Sequence, residues 1–198
     1  MTKEVLIELL NRRFGNKHHP ELISANISRA WNQILKQTYR DNPDELDACA
    51  KEYFIETGDL LTDTNTSIVY FLLPASSVLL PYNEHIRDVR PKQDTENVYH
   101  RVSISERSVL NGLDFDSITE RGTTYIIKGS KIELEELSAA HKAAGIILVM
   151  VVSFDEYDDT DEIYIPGGMD QTLIQLVGEF LEGKPQDILI DNNQDNQT

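Results

Sequence analysis

A run of carboxylates between residues 155 and 162 is the part of this chain best suited to chemistry. The segment Asp155-Glu156-Tyr157-Asp158-Asp159-Thr160-Asp161-Glu162 holds six carboxylates in eight positions, and a hard cation such as calcium binds several oxygen ligands that lie close together. The segment lacks the spaced Asp-x-Asp-x-Asn-Gly order that wraps a chain around an ion. We therefore expect a solvated acidic turn, with a cation site in a small metal-dependent hydrolase as the alternative.

Histidine and cysteine do not form a recognisable reactive site in the sequence. The adjacent pair His18 and His19 cannot reproduce the i, i+4 spacing that places two imidazoles on one helix face. Cys49 is the only cysteine, which excludes an intrachain disulfide, and we interpret it as a small packing residue on a helix. The Gly-x-Ser-x-Gly elbow, the complete Gly-x-x-x-x-Gly-Lys-Ser/Thr loop and the Gly-x-Gly-x-x-Gly turn are missing. We expect no enzyme activity, no cofactor and no metal.

Charge is distributed unevenly along the 198 residues. Residues 1–40 carry seven Lys or Arg against three Glu, a net charge of +4, so residues 41–198 carry −20 to give the overall −16. Opposite charges in the two parts of a chain favour head-to-tail docking against copies of itself. Most of this surface would repel free duplex DNA, because DNA affinity depends on Lys and Arg replacing phosphate counterions. A passive relation, in which DNA slides through a channel, is compatible with this charge.

Basic residues are the best candidates for contacts with another molecule. Those between residues 87 and 101 stand among aspartates and glutamates, which favours a protein contact over a contact with a phosphate backbone. Those in the first forty residues would supply one side of a heterologous interface, in which one patch meets a different patch. The candidate residues for an interface with another subunit or another protein are Arg12, Arg13, Arg29, Trp31, Arg87, Arg90 and Arg101.

Helical periodicity is strong at the start of the chain. Thr2 is a suitable N-cap for a first helix that ends at Gly15, and Pro20 suits the first turn of a second helix. The apolar stripe of the second helix, within residues 23–39, is wider than one helix partner would cover. We expect a neighbouring helix or a second subunit to cover the rest. A third helix is predicted to begin at Pro43.

Residues 58–166 have the pattern of a β-rich module. Short apolar or alternating runs predict strands at residues 68–73, 85–89, 98–104, 123–128, 131–134 and 146–154. The run Ile146–Val152 does not alternate, which predicts a central strand covered on both faces. At seven residues it is also the longest apolar run, far too short to cross a bilayer. We expect a soluble protein without membrane contact.

A last amphipathic helix is predicted after Pro166-Gly167-Gly168. With helices at both ends, the predicted fold class is α+β, in which the terminal helices pack together and a small antiparallel β sandwich or barrel is inserted between them. The predicted regions are an N-terminal helical region at 1–57, a β-rich module at 58–166, a C-terminal helix at 167–184 and a flexible acidic and polar tail at 185–198.

Several turn and strand motifs together carry a resemblance to a known family. They are Tyr70-Phe71-Leu72-Leu73-Pro74, Leu79-Leu80-Pro81 and Ile86-Arg87-Asp88-Val89-Arg90-Pro91, with Lys3-Glu4-Val5-Leu6-Ile7 in the first helix and Ile165-Pro166-Gly167-Gly168-Met169 before the last. Over nearly the whole chain, this pattern resembles the structural ring or adaptor proteins of crAss-like short-tailed bacteriophages. It departs from that pattern at Glu84-His85, where a glycine-containing turn is expected.

The resemblance implies a head-to-tail connector of the virion, assembled in the host cytoplasm. Proteins of this kind typically form a dodecameric ring beneath the portal and contact the portal and other tail or ring proteins. The resemblance also implies that genome DNA passes through the lumen of the ring without sequence-specific binding. The alternative is a soluble protein–protein adaptor without a phage context.

Overall fold

The computed structural model of the chain describes residues 1–93, 98–103, 105–106 and 123–183. The fold is α+β, as predicted from the sequence. Short 3-10 turns at Pro43–Cys49, Thr57–Asp59, Pro81–Asn83, Phe154–Glu156 and Pro166–Gly168 connect the main elements. The helices are α1 (Lys3–Arg13), α2 (Pro20–Asp41), α3 (Ala139–Ala144) and α4 (Asp170–Leu181). The strands are β1 (Ala50–Ile55), β2 (Leu61–Thr62), β3 (Val69–Leu72), β4 (Ile86–Pro91), β5 (His100–Arg101), β6 (Thr124–Lys128), β7 (Lys131–Glu135) and β8 (Ile146–Val151).

The 22-residue helix α2 is the centre of the helical layer. Pro20 occupies its first turn, where a missing N–H costs nothing because that group would have no partner inside the helix. Its stripe of inward residues is fully buried, and α1, α4 and the turns at Pro43–Cys49 and Phe154–Glu156 all pack against it. The terminal helices therefore pack together, as expected. Apart from the half-buried Tyr39, the stripe is covered within the chain, so its width does not require a second subunit.

The first sheet has three antiparallel strands in the order β1-β8-β4. The central strand is β8, in agreement with its uninterrupted apolar sequence, and Ile146, Leu148 and Met150 are fully buried. On one side β8 pairs with β1 in continuous register from Ala50 to Ile55. On the other side it pairs with β4 across a register shift at residues 86–88. Both edges of β8 are paired and one of its faces is fully buried, but Ile147 and Val149 on the other face are only half-buried. The expectation of a strand covered on both faces is therefore met on one face only.

The second sheet has five strands in the order β2-β3-β7-β6-β5. Four of the strands are antiparallel neighbours, and β5 pairs parallel to β6 through His100 and Arg101. The sheet is therefore mixed, whereas a purely antiparallel module was expected. Since β5 has only two residues, it contributes little to the sheet and mainly fixes where Arg101 lies.

Several boundaries differ from the expected ones. The helix predicted to begin at Pro43 is a 3-10 turn that ends at Cys49, and strand β1 follows it directly at Ala50. Strand β8 ends at Val151, because the chain turns at Phe154–Glu156. The two-residue strand β2 and the six-residue helix α3 were not predicted, since elements this short show no periodicity. The tail predicted at 185–198 lies outside the described residues.

Gly145 offers a direct test of the contact between α3 and the first sheet. Its φ of +85° is in the left-handed region, and an added Cβ would lie 2.8 Å from the Ile55 carbonyl oxygen and from the Phe54 ring. Gly129 also has a positive φ, +62°, but a Cβ there would meet nothing within 4 Å. We expect Gly129→Ala to cost about 1 kcal/mol of unfolding free energy and Gly145→Ala about 2–4 kcal/mol. Equal losses in urea unfolding would contradict this packing.

Candidate functional site

The acidic turn at 155–162 binds the start of the chain. The backbone N–H groups of Lys3 and Glu4 donate to the carbonyl oxygens of Asp161 and Asp159, both at 3.2 Å. Thr2 forms an isolated β-bridge with Glu162. Most of the segment is exposed, as expected of a solvated acidic turn. It also forms a backbone docking site for the residues that lead into α1, which the sequence did not predict.

Several side chains of the turn already have partners inside the protein. Lys51 Nζ lies 2.6 Å from Asp161 Oδ2 and also donates to the Glu156 carbonyl oxygen at 3.1 Å. The hydroxyl of Ser28 donates to Asp155 Oδ2 at 2.8 Å. Within the described ranges, no group of three or more His, Cys, Asp or Glu residues is arranged to hold a metal ion. The contacts support a structural role for the turn.

The three candidate arginines of the sheet region all form ion pairs within the chain. Arg87 pairs with Asp47 at 2.5 Å and with Glu84 at 3.2 Å. Arg101 also pairs with Glu84, at 3.4 Å, and donates to the carbonyl oxygen of Tyr82. Both arginines therefore fasten the segment that follows the turn at Pro81–Asn83, and Arg87 joins it to residue 47, forty positions earlier.

Arg90 is held in the same way on strand β4. It pairs with Asp88 at 2.7 Å and with Glu52 of β1 at 3.1 Å. Burial raises the pKa of Asp88, although the neighbouring guanidinium acts in the opposite direction. These pairs give the sheet arginines a function inside the subunit, which the sequence-based interpretation as interface residues did not anticipate.

The helical candidates differ strongly from one another. Trp31 was an interface candidate, but it is fully buried in this chain and its side chain belongs to the core. Arg12 is exposed and pairs with Glu8 on its own helix. Arg29 is also exposed, and its guanidinium lies 4.4 Å from the centre of the Phe180 ring on α4. Arg13 is exposed and has no carboxylate partner among the described residues.

The outward face of α2 carries three exposed cations, which we call the α2 basic stripe: Arg29, Lys36 and Arg40. Their spacing of i, i+7 and i+11 places them within about 40° around the helix axis and along about 16 Å of its length. None of the three has a carboxylate partner in the described part of the chain. Lys36 and Arg40 were missed in the sequence analysis, although their helical spacing could have revealed them.

Two open clefts flank the turn at Pro81–Asn83, with volumes of about 570 and 540 Å³. The second is lined by Ser76, His85 and Glu156, which are the residue types of a hydrolytic triad. Glu156 accepts the backbone N–H of Ser76 at 3.0 Å, but His85 Nδ1 is buried without a hydrogen-bond partner among the described residues. Since no hydrogen bond joins a serine hydroxyl to the imidazole, the described residues form no triad here.

The comparisons with known proteins add no family to this description. No protein-family model matches the chain, and a search of curated proteins finds no match either. None of the helices in the described ranges has the length and apolarity that a bilayer-spanning segment needs. A function must therefore be argued from the surfaces of the fold, and the most distinctive of these is the α2 basic stripe.

The Lys51–Asp161 pair predicts a pH-dependent stability. The hydrogen bond from Lys51 lowers the pKa of Asp161 below 3.8, so the pair stabilises the fold above about pH 4 and this contribution is lost as the pH falls through the lowered value. Because both side chains are partly exposed, we expect Asp161→Asn to cost at most about 1 kcal/mol at pH 7. Asp159→Asn is the matched control, since that carboxylate has no partner among the described residues. Equal urea midpoints at pH 7 would refute the pairing.

His85 predicts a second pH effect, at milder acidity. Burial lowers the pKa of this imidazole below 6.5, nearby Arg101 acts in the same direction, and Glu84 opposes them. The unfolded chain therefore binds the proton more readily, and stability falls as the pH drops below 6.5. We expect His85→Gln to remove this part of the pH dependence in urea unfolding, whereas His100→Gln at an exposed position of β5 should retain it. Parallel pH profiles of the two variants would contradict the assignment.

Proposed function

We propose that this protein is a virion structural subunit that docks head to tail against copies of itself and forms the ring between portal and tail. The observation that carries the proposal is the contrast between its two sets of cations. The sheet arginines 87, 90 and 101 pair with carboxylates of the same chain, whereas the cations of the α2 basic stripe have none among the described residues. A row of exposed cations that have no carboxylate partner in the described ranges, on a chain of net charge −16, attracts an acidic partner.

A second copy of the chain is a suitable acidic partner. Outside residues 1–40 each copy carries a net charge of −20, so the stripe of one copy and the acidic surface of the next are complementary. An interface between two different patches gives a ring when the rotation that relates neighbouring copies closes, and an open filament when it does not. Such charged contacts orient the partners and speed their encounter more reliably than they add affinity.

The connector role is supported by the resemblance of the turn and strand motifs to ring and adaptor proteins of crAss-like phages. In that role the portal and other tail proteins are the remaining partners, and genome DNA passes through the lumen. A predominantly acidic surface favours passage of DNA over retention, since phosphates find few cations to replace their counterions. The second candidate is an adaptor that uses the α2 basic stripe to bind a different acidic protein.

The α2 basic stripe can be tested by charge reversal. We expect Lys36→Glu to weaken self-association at least tenfold, equivalent to about 1.4 kcal/mol, because it replaces an attraction by a repulsion at the interface. Lys17→Glu is the matched control: it changes the net charge equally, at an exposed position in the loop between α1 and α2. Mass photometry and sedimentation over a range of salt concentrations measure the self-association of both variants, in the presence and absence of portal.

Two outcomes would contradict the proposal. If Lys36→Glu and Lys17→Glu weaken assembly equally, net charge rather than the α2 basic stripe controls association. If the unmodified protein remains monomeric with and without portal, while it binds a different acidic protein through the stripe, the adaptor function replaces the ring subunit.

A further inference from the structure

The segment at residues 79–82, which we call the docking loop, exposes more apolar surface than any other turn in the described part of the chain. Leu79 is 78 % exposed and Tyr82 is 80 % exposed. Leu80, which lies between these two residues, and Val78, which precedes them, are buried and anchor the loop in the core. Large side chains that stand out from an anchored backbone are typical of the central residues of protein interfaces, where tyrosine is enriched.

The docking loop is held in an unusual backbone conformation. Tyr82 and Asn83 have φ values of +55° and +57°, which are strained for residues other than glycine. Arg101 of β5 donates a hydrogen bond to the carbonyl oxygen of Tyr82 and forms one ion pair, with Glu84, and these two contacts hold the turn in place. Strain maintained in this way is common at binding sites, because a pre-organised loop loses less entropy on binding.

A second exposed apolar surface lies on α1. Val5 and Leu9 are one helical turn apart and are 44 % and 51 % exposed, while Leu6 and Leu10 point into the core. Arg12 and Arg13 follow in the last turn of the helix and are also exposed. The α1 surface is therefore an apolar pair with a basic end.

Glu156 beside the docking loop and Arg13 on α1 have opposite charges, and neither forms an ion pair with another described residue. Glu156 lines the same cleft as Leu79, and its carboxylate accepts a hydrogen bond from a backbone N–H but pairs with no Lys or Arg in the described residues. A loop-to-loop contact between two copies would bring their Glu156 carboxylates together, and an α1-to-α1 contact would do the same for the arginines. A contact between the docking loop of one copy and α1 of another avoids both repulsions.

We propose that the docking loop of one copy packs on the Val5–Leu9 face of α1 in a second copy, with Glu156 facing Arg13. This inference rests on the proposed head-to-tail assembly and identifies a pair of surfaces that it uses. Leu79 and Tyr82 supply the apolar contact, and the unlike charges at its edge fix the direction in which the copies follow one another.

Site-directed cross-linking of the full chain tests this contact. Burial and nearby Glu45 raise the pKa of Cys49 to about 12, so the native thiol should react slowly and leave little background. Leu9→Cys chains carrying a mass tag are mixed with untagged Tyr82→Cys chains and treated with a short bis-maleimide. Leu79→Cys is a second partner variant in case the strained turn does not tolerate the change at Tyr82. Leu61→Cys is the control, because that side chain is 44 % exposed on β2.

We expect the tagged Leu9→Cys chain to form at least tenfold more cross-linked dimer with Tyr82→Cys or Leu79→Cys than with Leu61→Cys. Preferential linking of untagged Tyr82→Cys chains to one another would overturn the inference in favour of a two-fold contact. If the unmodified protein assembles but neither loop variant exceeds the control, the inference fails and the head-to-tail function stands. A protein that is monomeric at every concentration, with and without portal, overturns both.

Discussion

The burial of Trp31 is the interaction on which the rest of the structure depends. Its side chain is fully buried between the helical layer and the first sheet, and its indole N–H donates to the Val152 carbonyl oxygen at 3.3 Å. The ring meets Phe154 and Tyr157 edge to face, with centroids 6.5 and 6.2 Å away. These contacts fix where β8 ends and where the acidic turn begins. Because that turn also holds the residues before α1, this aromatic cluster helps to set the position of the start of the chain.

The arrangement of charges follows from this framework. Lys51 and the backbone of residues 3–4 contact the acidic turn, and the sheet arginines pair with carboxylates from other elements. The outward face of α2 is on the opposite side of the helix from Trp31 and its buried neighbours, so its cations face solvent. The same helix therefore organises the core with one face and offers a charged surface with the other.

Local patterns in the sequence predicted the long elements well. The apolar spacing in α2, the unbroken run in β8 and the stripe in α4 each require one kind of element, and the structure confirms all three. Elements of two to six residues, such as β2 and α3, leave no such pattern. Interface residues were harder to predict, because periodicity identifies the apolar face of a helix but not what covers that face. Trp31 illustrates this, since it is covered by residues of its own chain. Ion pairs such as Arg87 with Asp47 join distant parts of the chain and cannot be read from neighbouring residues.

The central claim is that copies of this protein join through unlike surfaces around an axis. Electron microscopy of the purified full chain, with portal added where the chain alone does not assemble, tests this most directly through the symmetry of the particles. The account predicts closed rings with a single rotation axis and with α2 at every boundary between subunits. Two-fold dimers, or rings in which α2 faces solvent at every subunit, would contradict it.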